Sequence, residues 1–272
     1  MLRGEGIEIG ALHRPLEVTR SARVTYVDRL PLDELRAHYK ELAAEDLAPV
    51  EVLGSAEDLS AFPDASLDFV IANHLIEHLE DPVRGLKEFH RVLRPRGLLF
   101  MCVPDARVTF DRYRTLTTAE HILSEHSGGR AAVAANRRAH YEDWVENVEE
   151  KGVEGVARPG PPGDREKRVQ FLTEMDYSIH FHCWHAATFL EFFRRACAAE
   201  GLQFEVLDWV DTVPMGHDEL ILLIGKRPGR MQKLRARWQP GQPLNRNLKE
   251  ILRATPLGPS LVRAYRLARR RR

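Results

Sequence analysis

Short apolar runs, each closed by a polar or glycine-marked break, recur through the first hundred residues. Gly6–Ile9, Val24–Val27, Val50–Leu53, Leu67–Ala72 and Leu98–Val103 have the length and residue types of strands. The runs at Leu67 and Leu98 are apolar almost throughout, as expected of strands buried on both faces. Leu32–Ala44 reads as a helix. Pro82–Leu93 sets Val83, Leu86, Phe89, His90 and Leu93 on one helical face, and Arg94-Pro95-Arg96-Gly97 ends it. Strands alternating with helices need crossover connections, and so predict a mostly parallel sheet.

The alternation stops at Asp105 and resumes after Tyr177. The intervening stretch is polar, with helical segments around Thr118–His126 and Arg137–Glu150 and a Pro/Gly-rich loop from Arg158 to Asp164. An insertion after the fifth strand lies over the carboxyl end of the sheet, where open α/β folds bind ligands, and so predicts a lid or pocket wall. Ala186–Glu200 then forms an amphipathic helix closed by Gly201. Phe204–Trp209 and Glu219–Ile224 are close enough in sequence to pair as an antiparallel hairpin. The fold class predicted is α/β: a Rossmann-like, doubly wound, mostly parallel sheet with a final antiparallel strand, a helical insertion after the fifth strand, and a basic C-terminal extension. The boundaries expected are a main domain over 1–227, with 105–180 as the inserted lid, and a basic helical or partly disordered tail over 228–272.

Composition changes this picture little: of 272 residues, 43% are hydrophobic and 29% charged, ordinary for a soluble globular protein. No apolar run reaches membrane-spanning length, and the opening MLRGEGIEIG lacks the apolar core of a secretory leader, so a cytoplasmic protein is expected. Cys102, Cys183 and Cys197 are few and widely spaced, which predicts reduced structural thiols. Charge is more informative. The formal net charge is zero, yet Lys226–Arg272 carries 15 Lys or Arg against the single acid Glu250. The body is therefore acidic and the tail strongly basic. A solvated end and peripheral contact with an anionic membrane surface or lipid-linked substrate both fit that tail. Nucleic acid fits less well, because Trp238 and Tyr265 are its only aromatic residues.

Candidate chemistry clusters at strand ends. Glu8-Ile9-Gly10 closes the first strand, where glycine lets a turn approach a ligand closely. Asp28 ends the second strand and could accept from ribose hydroxyls. Gly54-Ser55-Ala56-Glu57 follows the third strand, and Asn73-His74 the fourth. In this order, GIEIG, VTYVD, GSAEDL, LDFVIANHLIEHLEDP and LKEFHRVLRPRGLLFMCVP resemble class I S-adenosylmethionine-dependent methyltransferases of the small-molecule and ubiquinone type. HFHCWHAATFLEFFRRACAAEGL resembles the later helix of that family, so about half of the chain carries the likeness.

The resemblance implies S-adenosylmethionine as cofactor. It implies contacts from Glu8 and Gly10, a ribose acid at Asp28, an adenine loop at Ser55, Ala56 and Glu57, and methionine-end contacts from Asn73 and His74. One departure stands out. Gly10 is followed by Ala11-Leu12-His13-Arg14-Pro15 rather than further glycines, so this loop takes its own path.

His74-Leu75-Ile76-Glu77-His78 also fits the inverted zinc-protease spacing, but it follows a buried strand rather than forming part of a free helix. Small-RNA terminal methyltransferases are similar in placing acids and histidines here to hold a divalent metal. Glu77 and His78, with His180 or His182, are the corresponding candidates, although a metal is not the primary expectation. In Asp176–His185 an extended backbone would put His180 and His182 on one face. With His78 they are the candidate catalytic bases. His121, His140, Tyr141 and Trp144 are candidates for the pocket wall. The function expected is methyl transfer to an oxygen, less readily a nitrogen, of a small molecule or glycan. A non-catalytic methyltransferase-like binding module is the alternative. A dehydrogenase is disfavoured because G-x-G-x-x-G is absent.

Overall fold

The computed structural model describes residues 2–42, 44–153, 156–160 and 162–228, so all of the basic extension but its first residue lies outside the described residues. One sheet of seven strands runs in the order β3-β2-β1-β4-β5-β7-β6. The strands are β1 (Gly4–Ile9), β2 (Ala22–Asp28), β3 (Val52–Leu53), β4 (Leu67–Asn73), β5 (Leu93–Pro104), β6 (Phe204–Asp211) and β7 (Glu219–Lys226). The first five are parallel, and β7 is antiparallel to both β5 and β6. The expected final hairpin is therefore present, with its second strand set inside the sheet. Connections run outward from β1 through β2 to β3, then return to β4 on the other side of β1. That return makes a switch point, with Gly10 and His74 at its two lips.

Period-2 alternation divides the core. Val70 and Ala72 point to one face with α2 (Pro82–Val92) and α5 (Ala186–Ala199), burying Val83, Leu86, Phe89, Phe189 and Phe192. Phe69 and Ile71 point to the other, beside Phe100, Ile221 and Leu223, under Leu2 and Leu16. Asp81 caps α2 by accepting from the Arg84 N–H at 3.0 Å, and Pro82 occupies the first turn, where no donor is missed.

Two elements are shorter than expected. The third strand holds only two residues because Tyr26 N–H donates to the Glu51 carboxylate at 3.0 Å instead of to a backbone carbonyl. The helix expected over Leu32–Ala44 is α1 (Leu32–His38) followed by a 3₁₀ turn, Lys40–Leu42. The chain leaves helical geometry at Tyr39 (φ −104°, ψ 74°), next to His38, which stacks on Tyr177 of the insertion.

The insertion comprises a 3₁₀ turn (Phe110–Tyr113), α3 (Ala119–Trp144), a π-helical turn (Val145–Glu149) and α4 (Arg165–Glu174). α3 is a folded-back pair of arms. His140 Nε2 lies 3.4 Å from Glu125 Oε1, whereas 15 residues of straight helix would separate them by roughly 22 Å. The reversal falls at Gly129 (φ 71°, ψ −170°), backbone geometry open essentially only to glycine. The insertion has its own apolar core, which includes Tyr141, Trp144, Val148, Leu172 and Ile179. Buried Arg114 braces the insertion from within. It donates to Asp111 at 2.9 Å, Asp143 at 2.7 Å and the His180 carbonyl at 2.7 Å. All three cysteines are free thiols. Among the described residues no helix is long and apolar enough to cross a membrane.

Candidate functional site

Gly10 takes a positive φ of 68° at the end of β1, and its N–H donates to the Val27 carbonyl at 2.9 Å. The loop beyond it is held without further glycines. Both oxygens of the buried Glu8 carboxylate accept from the Leu16 N–H at 3.0 Å, and the Leu12 carbonyl accepts from Ala48 at 2.7 Å. The carboxylate of Glu8 is thus taken up by the loop it shapes. Burial pushes its pKa up to about 7, with the Leu16 N–H pulling the other way.

Asp28 ends β2, accepting from the Arg29 N–H at 2.7 Å, and burial raises its pKa. Ser55 and Asp58 close a tight turn after β3, with Ala56 buried inside it. Glu57 on that turn accepts from the Asp81 N–H at 3.1 Å, and burial pushes its pKa to about 6. A cleft of about 290 Å³ opens beside it, walled by Glu57, Asp58, Glu80, Asp81, Arg84 and Arg130 together with Val133 and Ala134 of α3. At the end of β4 the buried Oδ1 of Asn73 has no partner among the described residues. His74 adopts φ 45°, and its Nε2 meets Glu219 at 3.0 Å. Crowding by protein opposes the charged ring, but Glu219 and Glu77 outweigh it and carry the pKa to about 9. The ring still keeps 47% of its surface.

A second group faces this edge. Glu77 and His78 sit on a 3₁₀ turn, Ile76–His78, directly after β4. Glu77 is fully buried, and neither of its oxygens has a hydrogen-bond partner on another described residue. Burial raises its pKa. His78 Nδ1 faces the Ile179 carbonyl at 2.9 Å, and burial drives its pKa well below the usual histidine range. His180 Nδ1 meets Asp111 at 2.6 Å, and its Nε2 lies 4.0 Å from Glu77. Glu77, His78 and His180 thus bring three donor atoms within 4.8 Å, and they could hold a cation.

His180, not His182, completes the Glu77–His78 group. The two histidines do not share one face, because the chain bends at Phe181 and is not a regular strand. His182 turns instead towards His121 and His140 of the insertion, with ring centroids 6.3 and 5.2 Å away. Tyr141 and Trp144, expected in a pocket wall, are core residues of the insertion; Tyr141 donates to the Tyr177 carbonyl at 2.9 Å. Sequence reasoning missed Asp111 and Arg114, which sit in an ordinary polar stretch with no motif around them. It also missed Arg29, which reaches over the pocket edge to Asp176 at 2.9 Å; Asp176 pairs in turn with Arg137, and Arg137 with Glu80 at 3.1 Å.

Sheet order and switch point together define a Rossmann-like α/β domain. Residues 4–101, the segment from β1 into β5, match the methyltransferase domain family. A probable S-adenosylmethionine-dependent methyltransferase of Mycobacterium tuberculosis H37Rv is 44% identical over 61 residues, 22% of each chain. An uncharacterised protein from a Streptomyces fradiae transposon is 34% identical over 103 residues, 38% of this chain and 28% of the relative. The chain thus spans about a quarter of the length of these curated relatives. Among solved structures, a Thermotoga maritima methyltransferase described as a possible histamine N-methyltransferase covers 84% of each chain at 18% identity, with a TM-score of 0.42.

Proposed function

We propose that the protein transfers the methyl group of S-adenosylmethionine to an oxygen, less readily a nitrogen, of a small molecule or glycan. The cofactor would lie across the switch point, with its ribose at Asp28, its adenine by the Ser55–Asp58 turn and its methionine end at Asn73 and His74. The acceptor would enter from the side of Glu77, His78 and His180. The observation that carries the oxygen reading is the buried Asp111–His180 pair, which leaves Nε2 of His180 aimed towards Glu77 at the edge of β4.

In this mechanism Nε2 of His180 takes the hydroxyl proton and Asp111 steadies the resulting imidazolium. S-adenosylmethionine bound there would supply the methyl group: an oxygen lone pair would form the new bond to the methyl carbon as the carbon–sulfur bonding pair stays with sulfur. Most of the acceleration comes from in-line placement. A second reading has one specific support: the orphaned oxygens of Glu77 suit a divalent cation shared with His78 and His180, which would bind the hydroxyl and lower its pKa.

The test is calorimetric titration with S-adenosylhomocysteine. Binding by the intact protein that weakens at least tenfold, about 1.4 kcal/mol, in Asp28→Ala supports the cofactor placement. Absence of binding by the intact protein would reject methyl transfer and favour a non-catalytic binding module.

A further inference from the structure

The fold-back of α3 at Gly129 assembles a second group of metal-type donors, distinct from Glu77, His78 and His180 and unused in the proposed methyl transfer. His121 and Glu125 sit one helical turn apart on the first arm, and His140 comes from the second. His121 Nε2 and His140 Nε2 lie 3.3 and 3.4 Å from the same Glu125 oxygen, and the three donor atoms fall within 4.8 Å of one another. Zinc bonds of about 2.0–2.1 Å at tetrahedral angles put neighbouring donors about 3.4 Å apart.

An independent observation comes from the chain that runs beside this group. His182 is fully buried, with its ring centroid 5.2 Å from that of His140. Its Nε2 faces the Glu80 carbonyl at 3.4 Å, while its Nδ1 is buried with no partner among the described residues. A proton on Nε2, donated to the carbonyl, leaves a bare lone pair on Nδ1. A buried imidazole nitrogen without a donor is costly, and a water held on an ion at the neighbouring group would supply that donor.

We propose that His121, Glu125 and His140 form a three-ligand site for a zinc-type transition metal, with water in the fourth position beside His182. Two imidazoles and one carboxylate suit Zn²⁺ or its neighbours rather than Mg²⁺ or Ca²⁺, which take oxygen ligands. The His121 side chain is 44% exposed, which gives the ion a path in from solvent. The bound ion clips the two arms of α3 together on either side of Gly129.

The test is Co²⁺ titration of the intact, chelator-treated protein, followed by its tetrahedral visible absorption. Zn²⁺ competition and the stoichiometry of bound metal are read alongside. One tetrahedral equivalent is expected. His121→Ala, a partly exposed position that leaves folding intact, should weaken it at least tenfold, and His140→Ala likewise, while Glu77→Gln leaves that signal in place. Absence of a tetrahedral signal in the intact protein would overturn the proposal. So would a signal that survives His121→Ala and disappears in Glu77→Gln, which would assign the ion to the strand-end group. A structural ion pair of Glu125 with protonated His121 and His140 would give no cobalt spectrum at all, and would likewise overturn it.

Discussion

Replacing Glu8 with glutamine tests how the loop after β1 is held. The carboxyl group is 1% exposed, and burial lifts its pKa from an ordinary 4.5 to about 7. A raised carboxyl pKa means that the folded state favours the protonated form. The associated stability is fully present below pH 4.5 and is lost as pH rises through 7. A shift of 4.5 to 7, at 1.36 kcal/mol per unit, makes ionised Glu8 about 3 kcal/mol costlier in the folded than in the unfolded chain. Glutamine is neutral throughout, and its carbonyl can still accept from Leu16 N–H. Loss of the second acceptor contact takes back about 1 kcal/mol. Glu8→Gln should therefore be close to neutral, or slightly destabilising, at pH 4.5–5 and about 2 kcal/mol more stable than the parent at pH 8.5. For a chain of this size that corresponds to roughly 4–8 °C in midpoint temperature. Urea denaturation of both proteins across this pH range reads the difference directly. Curves separated by the same amount at both ends of the range would refute the reasoning.

Three further perturbations probe the insertion and its link to the site. Arg114→Met strips Asp111 of a buried partner and frees the His180 and Phe181 carbonyls; it should cost about 3–5 kcal/mol in chemical denaturation, and a loss under 1 kcal/mol would contradict the pillar role. Asp111→Asn keeps the shape but removes the charge behind His180, so kcat should fall about 10²–10⁴-fold once an acceptor is in hand, with S-adenosylhomocysteine affinity unchanged by calorimetry. A fall in cofactor affinity instead would move Asp111 out of the acceptor side. Gly129→Ala meets open space but an unfavourable φ of 71°, so it should cost about 1–3 kcal/mol through backbone strain alone, measurable as a lower thermal midpoint.

Much of the sheet was legible because its buried strands are short apolar runs bounded by Gly, Pro and acids. Leu67–Asn73 and the Leu98–Val103 part of β5 are the clearest, since a strand buried on both faces tolerates few polar residues; β5 begins earlier, at Leu93, and runs through Arg94-Pro95-Arg96-Gly97, which reads as a breaker. The antiparallel final strand followed from a connection too short for a crossover. What escaped was set by contacts distant in sequence. The two-residue β3 depends on the Glu51 side chain replacing a backbone acceptor, which no periodicity encodes. Gly128-Gly129 was visible in the sequence, but only coordinates show His140 brought back to Glu125. His180 and His182 looked equivalent by spacing; the bend at Phe181, with Arg114 gripping the carbonyls of His180 and Phe181, sends each to a different partner set. Glu8 falls near the end of β1, as expected, while its partner, Leu16 N–H, lies in a loop with no pattern of its own.

The place of β7 bears on how the chain folds during synthesis. It is last of the seven strands to leave the ribosome, yet it lies between β5 and β6 and pairs along both of its edges. Until residues 219–226 emerge, β6 has no neighbour, and β5 shows a long, bare hydrogen-bonding edge. Such an edge invites pairing with another nascent chain. Completion of the sheet therefore waits on its latest strand. Slow elongation just before Glu219 would lengthen that exposure, whereas rapid delivery of the strand would shorten it.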